Sequence, residues 1–217
     1  MPVLRGSVTL RRFRVELVGE RPKDVKRWVQ RGLKRRAFEP IDIGGELDRA
    51  AGWVELEHTD RTDFAPGEVM IGEYALFAFR VDRLRVPGPV LRAELDRWSA
   101  KYEADRGHPP GRAEKRQQKD LISKKLRARV FPSTKTHDLA WSLVHERLDV
   151  WSASAKIVEE IQFLFEESFE VRLHPLTPGA IAEAMDVPAG ALWPTAALVG
   201  ASIAEEVGPL AGRTDVA

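Results

Sequence analysis

Gly111-Arg-Ala-Glu-Lys-Arg-Gln-Gln-Lys-Asp-Leu-Ile-Ser-Lys-Lys-Leu-Arg-Ala-Arg-Val-Phe-Pro132, followed by an alternating run to Trp141, decides how the chain folds. Everything up to Val130 is compatible with a helix, and Pro132 stops it because proline has no amide hydrogen to give. Arg112, Lys115, Arg116 and Lys119 recur at i, i+3, i+4 and i+7, so a helix puts them on one face. The same face continues through Ile122, Leu126 and Val130. The stripe therefore turns from cationic to apolar halfway along. A helix of this length is roughly 30 Å long, and the change of character predicts a first half that projects and a second half that packs. The plainer reading is a solvated helix, since Lys- and Arg-rich faces commonly just meet water.

Upstream, Pro87-Gly-Pro89 opens a second helical pattern carrying Leu91, Leu95, Trp98 and Tyr102. Gly107 and Pro109-Pro110 make a short turn between the two, so an antiparallel helical hairpin from Pro89 to Val130 is expected. Ser7 to Val18 alternates as a strand with Phe13, Val15 and Leu17 on one face. Pro22 stands where a first helical residue would, and Val25, Trp28, Val29 and Leu33 follow at helical spacing. The opposite face of that helix holds Lys23, Lys26, Arg27, Arg31 and Lys34. Gly52 to Glu57 reads as a short strand, and Glu68 to Val86 contains a longer one or a hairpin. There Phe77, Phe79 and Val81 alternate with Leu76, Ala78 and Arg80, so both faces are expected to be partly covered.

After Pro132 the period returns to two, with Leu139, Trp141 and Leu143, a turn near His145 to Arg147, then Leu148 and Val150. Ser152 or Ser154 is expected to cap a helix whose Ile157, Val158, Ile161, Leu164 and Phe165 face inward. Phe169 to Leu173 reads as a last strand, and Pro194 to Val207 as a further helix. The fold class is α+β: an antiparallel-rich β-sheet with packed helices and a protruding basic helical hairpin. The expected regions are 1–88 (an N-terminal α+β region), 89–131 (the helical arm), 132–176 (a β-hairpin and helix completing the body) and 177–217 (an Ala/Pro/Gly-rich C-terminal segment).

Several elements, in order, resemble the bacterial recombination-associated RdgC family. They are Ala37-Phe-Glu-Pro40, Gly52-Trp-Val54, Val86-Pro87 before a charged helix, the Lys/Arg-rich helix with Leu126 to Phe131, and Trp151-Ser-Ala-Ser-Ala-Lys156 opening a helix. The resemblance runs from about Phe13 to Leu176, and the stretch after Pro178 departs from it. It implies a homodimer closing into a ring, with a basic inner surface around duplex DNA that limits recombinase access.

Composition sets the outer bounds. The 217 residues are 43% hydrophobic and 31% charged, with no cysteine, no apolar run of membrane-spanning length and no signal-like start. A soluble, cytoplasmic protein without disulfides or thiolate chemistry is expected, and the resemblance implies association with the nucleoid. The formal net charge of +1 hides an asymmetry: residues 1–135 hold 30 Lys and Arg against 20 Asp and Glu, and residues 136–217 hold 4 against 13. Separated fields of +10 and −9 suit a polyanion partner, and equally a charge-driven contact between proteins.

Catalytic constellations are weaker. Glu55, Glu57, His58, Asp60 and Asp63 are ligand types close together, and a metal-dependent exonuclease would use Glu55, Glu57 and Asp60. No second carboxylate cluster of matched spacing accompanies them, so an exposed acidic loop is the expected reading. His58, His108, His137, His145 and His174 are scattered, and no phosphate-binding glycine loop or nucleophile elbow is present. The expectation is a non-enzymatic protein with no metal or cofactor. Arg112, Lys115, Arg116, Lys119, Lys124, Lys125 and Arg127 would contact phosphates, with Lys23, Lys26, Arg27 and Lys34 as a second surface. Phosphate contacts carry no sequence information, so binding should be nonspecific.

Overall fold

A computed structural model describes residues 9–45, 47–188 and 190. Its centre is an antiparallel sheet in the order β2-β4-β5-β6-β1-β7, with β3 pairing beside the start of β4. The strands are β1 (Arg11–Leu17), β2 (Arg49–Val54), β3 (Met70–Ile71), β4 (Tyr74–Arg83), β5 (Ser133–Ser142), β6 (Arg147–Val150) and β7 (Val171–Pro175). Helices α1 (Val25–Arg35) and α5 (Ala155–Phe169) are their main partners, and α2 (Pro66–Val69) and α6 (Pro178–Ala184) are short. The α+β expectation holds.

Alternation in β4 shows why the sheet is covered twice. Phe77, Phe79 and Val81 are buried in the main core with Trp53, Trp141, Phe165 and Phe169. Ala78, on the opposite face, joins a small second cluster with Phe38, Val54 and Leu56, against which Leu76 packs. Trp53 sits at the middle of the large core, edge-on to Phe77 at 5.3 Å and Phe79 at 5.5 Å. Its indole N–H donates to the Ser168 hydroxyl at 2.9 Å, and that hydroxyl donates to the Leu164 carbonyl at 2.7 Å. A buried indole is thus satisfied by a serine that is satisfied in turn.

Helix α1 begins later than its proline suggests. The Asp24 carboxylate accepts from the Arg27 amide at 3.0 Å and makes Asp24 the N-cap, which leaves Pro22 outside. Val29 and Leu33 are buried as the spacing required. At the far end of the sheet, Phe169 closes α5 instead of opening the last strand. Glu170 takes a left-handed conformation (φ 57°), so the chain reverses there and β7 starts at Val171. Ser154 occupies the N-cap position of α5 without a side-chain cap bond, and the Ser152 hydroxyl accepts from the Ser154 amide at 3.3 Å.

The β5–β6 hairpin turns where expected, with Glu146 at φ 50°. The helix expected from Pro194 to Val207 lies outside the described residues. Among those described, no helix is long and apolar enough to cross a membrane.

Between the paired ends of β4 and β5, where Arg83 faces Ser133, the chain inserts α3 (Gly88–Arg106) and α4 (Arg112–Arg127). Gly107, at φ 74°, ends α3 in the left-handed conformation that glycine adopts at least cost. The Glu114 carboxylate accepts from the Gly111 amide at 2.8 Å and from the Tyr102 hydroxyl, which fastens the turn to both helices. Helix α4 stops at Arg127, three residues short of the expected end at Val130. There the ladder tightens: the amides of Arg129 and Val130 return to the carbonyls of Leu126 and Arg127, three residues back. With Pro132 two residues on, no further turn of α-helix can form.

Candidate nucleic-acid interface

The α3–α4 arm contributes little to the cores of the body. No residue of α3 is buried, and in α4 only Ile122 is, belonging to neither core cluster. On α4, Arg112, Lys115, Arg116 and Lys119 are all exposed, and none has an ion-pair partner among the described residues. Ile122 follows on the same face and is buried, so the stripe changes character where the spacing placed the change. Leu126 is only half-buried and Val130 lies beyond the helix. Lys124 and Lys125 are exposed as well.

Arg127 has a different setting. Its side chain is 14% exposed, and it donates to the Ile43 carbonyl at 3.2 Å, to the Leu47 carbonyl and to the Asp48 carboxylate. Its charge is occupied by the body of the protein. Of the second set, Lys23, Lys26, Arg27 and Lys34 are exposed on or beside α1, and Arg27 lies 3.4 Å from Asp24. That set belongs to a helix packed on the sheet, whereas the first belongs to the arm.

Strand pairing brings together cations that a linear reading keeps apart. Arg14 faces Arg147 across β1 and β6, and Arg172 on β7 faces Glu16. Asp149 lies between Arg12 at 3.2 Å and Arg147 at 3.4 Å and neutralises part of this group. In β1, Arg12 and Arg14 alternate with the buried Phe13 and Val15 and so take the opposite face, but nothing local ties Arg147 or Arg172 to them.

The acidic stretch after β2 corrects one expectation. Glu57, His58, Asp60 and Asp63 are exposed, but Glu55 is buried. One oxygen of Glu55 accepts the amide of Phe64 at 2.9 Å, and the Glu55 amide donates to the Arg61 carbonyl at 3.1 Å. Phe64 is fully buried at φ 52°, a conformation costly for a bulky residue, so the carboxylate holds a strained corner in place. Glu55 is therefore part of the loop's own scaffold. Among the described residues, no three His, Asp or Glu side chains are grouped to hold a metal ion.

Arg80 secures the same loop from the sheet. It forks onto both oxygens of Asp82, at 2.9 and 2.7 Å, donates to the Thr59 carbonyl at 2.8 Å, and lies over the Phe38 ring at 4.4 Å. Burial pushes the Asp82 carboxyl up, but hydrogen bonds from Arg80 and Thr134 outweigh it and hold the group below its usual range. A groove of about 560 Å³ runs beside the end of α1, lined by Arg35, Arg36, Ile41, Leu47, Arg49 and Leu164. Its three arginines pair with Glu170, Glu167 and Glu160 of the α5 region, so the groove offers little free positive charge.

Among the described residues, α4 carries six exposed cations without an ion-pair partner, and Lys23, Lys26, Arg31 and Lys34 add four on or beside α1. A search of curated proteins finds no match to this chain. A family model described as "Putative exonuclease, RdgC" matches residues 21–186, a span that contains α1, the whole arm, the sheet centre and α5. With well over half of its length in that match, the chain belongs to the RdgC family, whose role is recombination-related and DNA-associated.

Proposed function

We propose that this protein binds duplex DNA through its phosphates, without sequence preference and without an enzymatic step, and modulates homologous recombination by occupying the duplex as a homodimer. The observation that supports this best is the stripe of Arg112, Lys115, Arg116 and Lys119, exposed and unpaired among the described residues, on a helix outside both cores. Lys124 and Lys125 add exposed charge on the other side of the same helix, and Lys23, Lys26, Arg27 and Lys34 supply a second surface. Such charges attract any duplex and release its counterions on contact. Any effect on a recombinase is then indirect, through the DNA both would occupy, and the protein would be found with the nucleoid.

The exonuclease named in the family's description needs carboxylates converging on metal ions. In this chain Glu55 is turned into the loop to hold Phe64, which favours the binding reading.

A salt titration against duplexes of unrelated sequence tests the proposal. If about five to eight phosphates are engaged, log affinity falls against log salt with a slope of roughly −4 to −7 for every duplex. A molar-mass measurement in the same buffer should give a dimer. Salt-independent binding, or none at low salt, overturns the reading.

A further inference from the structure

One residue of the body touches both roots of the arm. The Asp48 carbonyl accepts the amide of Leu84, the first residue after β4 on the way out to α3, at 2.8 Å. The Asp48 carboxylate meets Arg127, the last residue of α4 on the way back. Arg127 fills the rest of its fork with the carbonyls of Ile43 and Leu47. A planar guanidinium with several fixed donors suits this set of three acceptors, and a lysine ammonium does not match it.

The pairing is also lopsided. The Asp48 side chain is 70% exposed, but that of Arg127 is 14% exposed. A phosphate reaching Arg127 would have to displace the body's own acceptors. Among the described residues, the remaining cations of α4 have no such engagement.

We infer that Asp48 and Arg127 form a clasp that fixes the angle of the α3–α4 arm against the sheet, and that Arg127 is a positioning residue for DNA binding and makes no phosphate contact. The inference rests on the DNA-binding reading for its consequence and on the geometry for the clasp itself. With the clasp closed, the arm's cations meet the duplex already oriented. With it open, only a fraction of molecules hold the arm competently at any moment, and apparent affinity falls by that fraction.

Three variants separate the two roles of Arg127: Arg127→Lys, Arg127→Gln and Asp48→Ala. Under the clasp, all three weaken duplex binding by a similar factor, about 5- to 20-fold, because each leaves a small competent fraction. Their salt slopes match wild type, and Asp48→Ala combined with Arg127→Gln falls no further than either alone. If Arg127 is instead a phosphate contact, Arg127→Lys binds almost as wild type. Arg127→Gln then loses about one unit of salt slope, and Asp48→Ala binds more tightly because a competing carboxylate is gone. That pattern overturns the inference.

A second readout needs no DNA. The chain has no cysteine, so Ala113→Cys on the arm and Glu159→Cys on α5 can carry one spin-label pair per protomer, read in a mixture with excess unlabelled protein so that only distances within one protomer are measured. Both positions are exposed. The distance distribution should be narrow in the otherwise unaltered protein and broad once any clasp variant is added. A distribution that stays narrow in all three overturns the clasp even where binding is weakened. A broad one in a protein that fails to bind duplex DNA keeps the clasp and removes its role in DNA binding, so the two failures are told apart.

Discussion

Gly32 of α1 lies directly against the ring of Phe169 in α5. A Cβ built on Gly32 would come within 2.3 Å of Phe169 Cε1 and 3.1 Å of the Ser168 carbonyl oxygen. The two helices therefore meet at a point with no room for even a methyl group. Phe169 cannot swing aside, because Trp141 at 5.0 Å and Phe165 at 4.6 Å hold its ring.

Gly32→Ala tests whether that contact sets the helix spacing. In an exposed helix the change stabilises by about 0.5–1 kcal/mol. Overpacking of a fixed core typically costs about 1–3 kcal/mol, and here it should win. The expected outcome is a lower urea midpoint with an unchanged denaturant slope. A midpoint equal to or above wild type would show that α1 shifts freely over α5.

The acidic loop gives a prediction about activity. Duplex and single-stranded DNA incubated with Mg²⁺ or Mn²⁺ should remain intact, and Glu57→Ala should change nothing measurable. Glu55→Ala, in contrast, removes the acceptor for the Phe64 amide and leaves a buried donor unpaired, at a cost of about 1–3 kcal/mol. Divalent-dependent degradation abolished by Glu57→Ala in a folded protein would reverse the assignment.

Periodicity made most of the body legible. Phe13 and Val15, the alternation of β4, the inward stripe of α5 and the hairpin around Glu146 all stand where their spacing placed them. Element ends were less legible because they depend on single interactions. The Asp24 cap, the left-handed Glu170 and the tightened turn after Arg127 each moved a boundary by two or three residues. The site was legible in part. A face of cations at helical spacing is a local pattern and survives folding, whereas the partners of Arg127 lie some eighty positions away. Glu55 shows the same limit: in sequence it is one acid among several, and only the buried corner at Phe64 sets it apart.

His137 is expected to make the stability of the body depend on pH. Burial lowers its pKa from the ordinary value; the Trp151 backbone hydrogen bond opposes this, Lys135 adds to it, and Asp138 opposes it weakly. A histidine ordinarily titrates near about 6.5. As pH falls through that value, the unfolded chain takes up a proton that the folded one refuses, so folding weakens. The loss should begin below about pH 7 and continue down to the depressed folded pKa. Denaturation midpoints followed between about pH 7.5 and 5.5 should fall in wild type and fall less in His137→Gln. Parallel curves for the two proteins would rule His137 out as the source.

The cationic-to-apolar stripe of α4 gives the last test, which sets its two halves against each other. Arg112, Lys115, Arg116 and Lys119 are exposed and unpaired among the described residues, so replacing all four with Gln should leave stability almost untouched. Glutamine keeps good helix propensity, so the arm itself should persist. Duplex affinity should drop sharply, and the salt slope should shrink by up to about 3 to 4 units if each residue holds one phosphate. Ile122, one turn further along the face, is 8% exposed. Ile122→Ala should cost about 2 kcal/mol, the low end for a buried isoleucine, because Ile122 belongs to neither main cluster. Leu126→Ala should cost less, since that side chain is only half-buried. Neither apolar variant should alter the salt slope of the molecules that remain folded. A quadruple glutamine variant that unfolds, or that binds duplex as wild type does, would return α4 to the role of an ordinary structural helix.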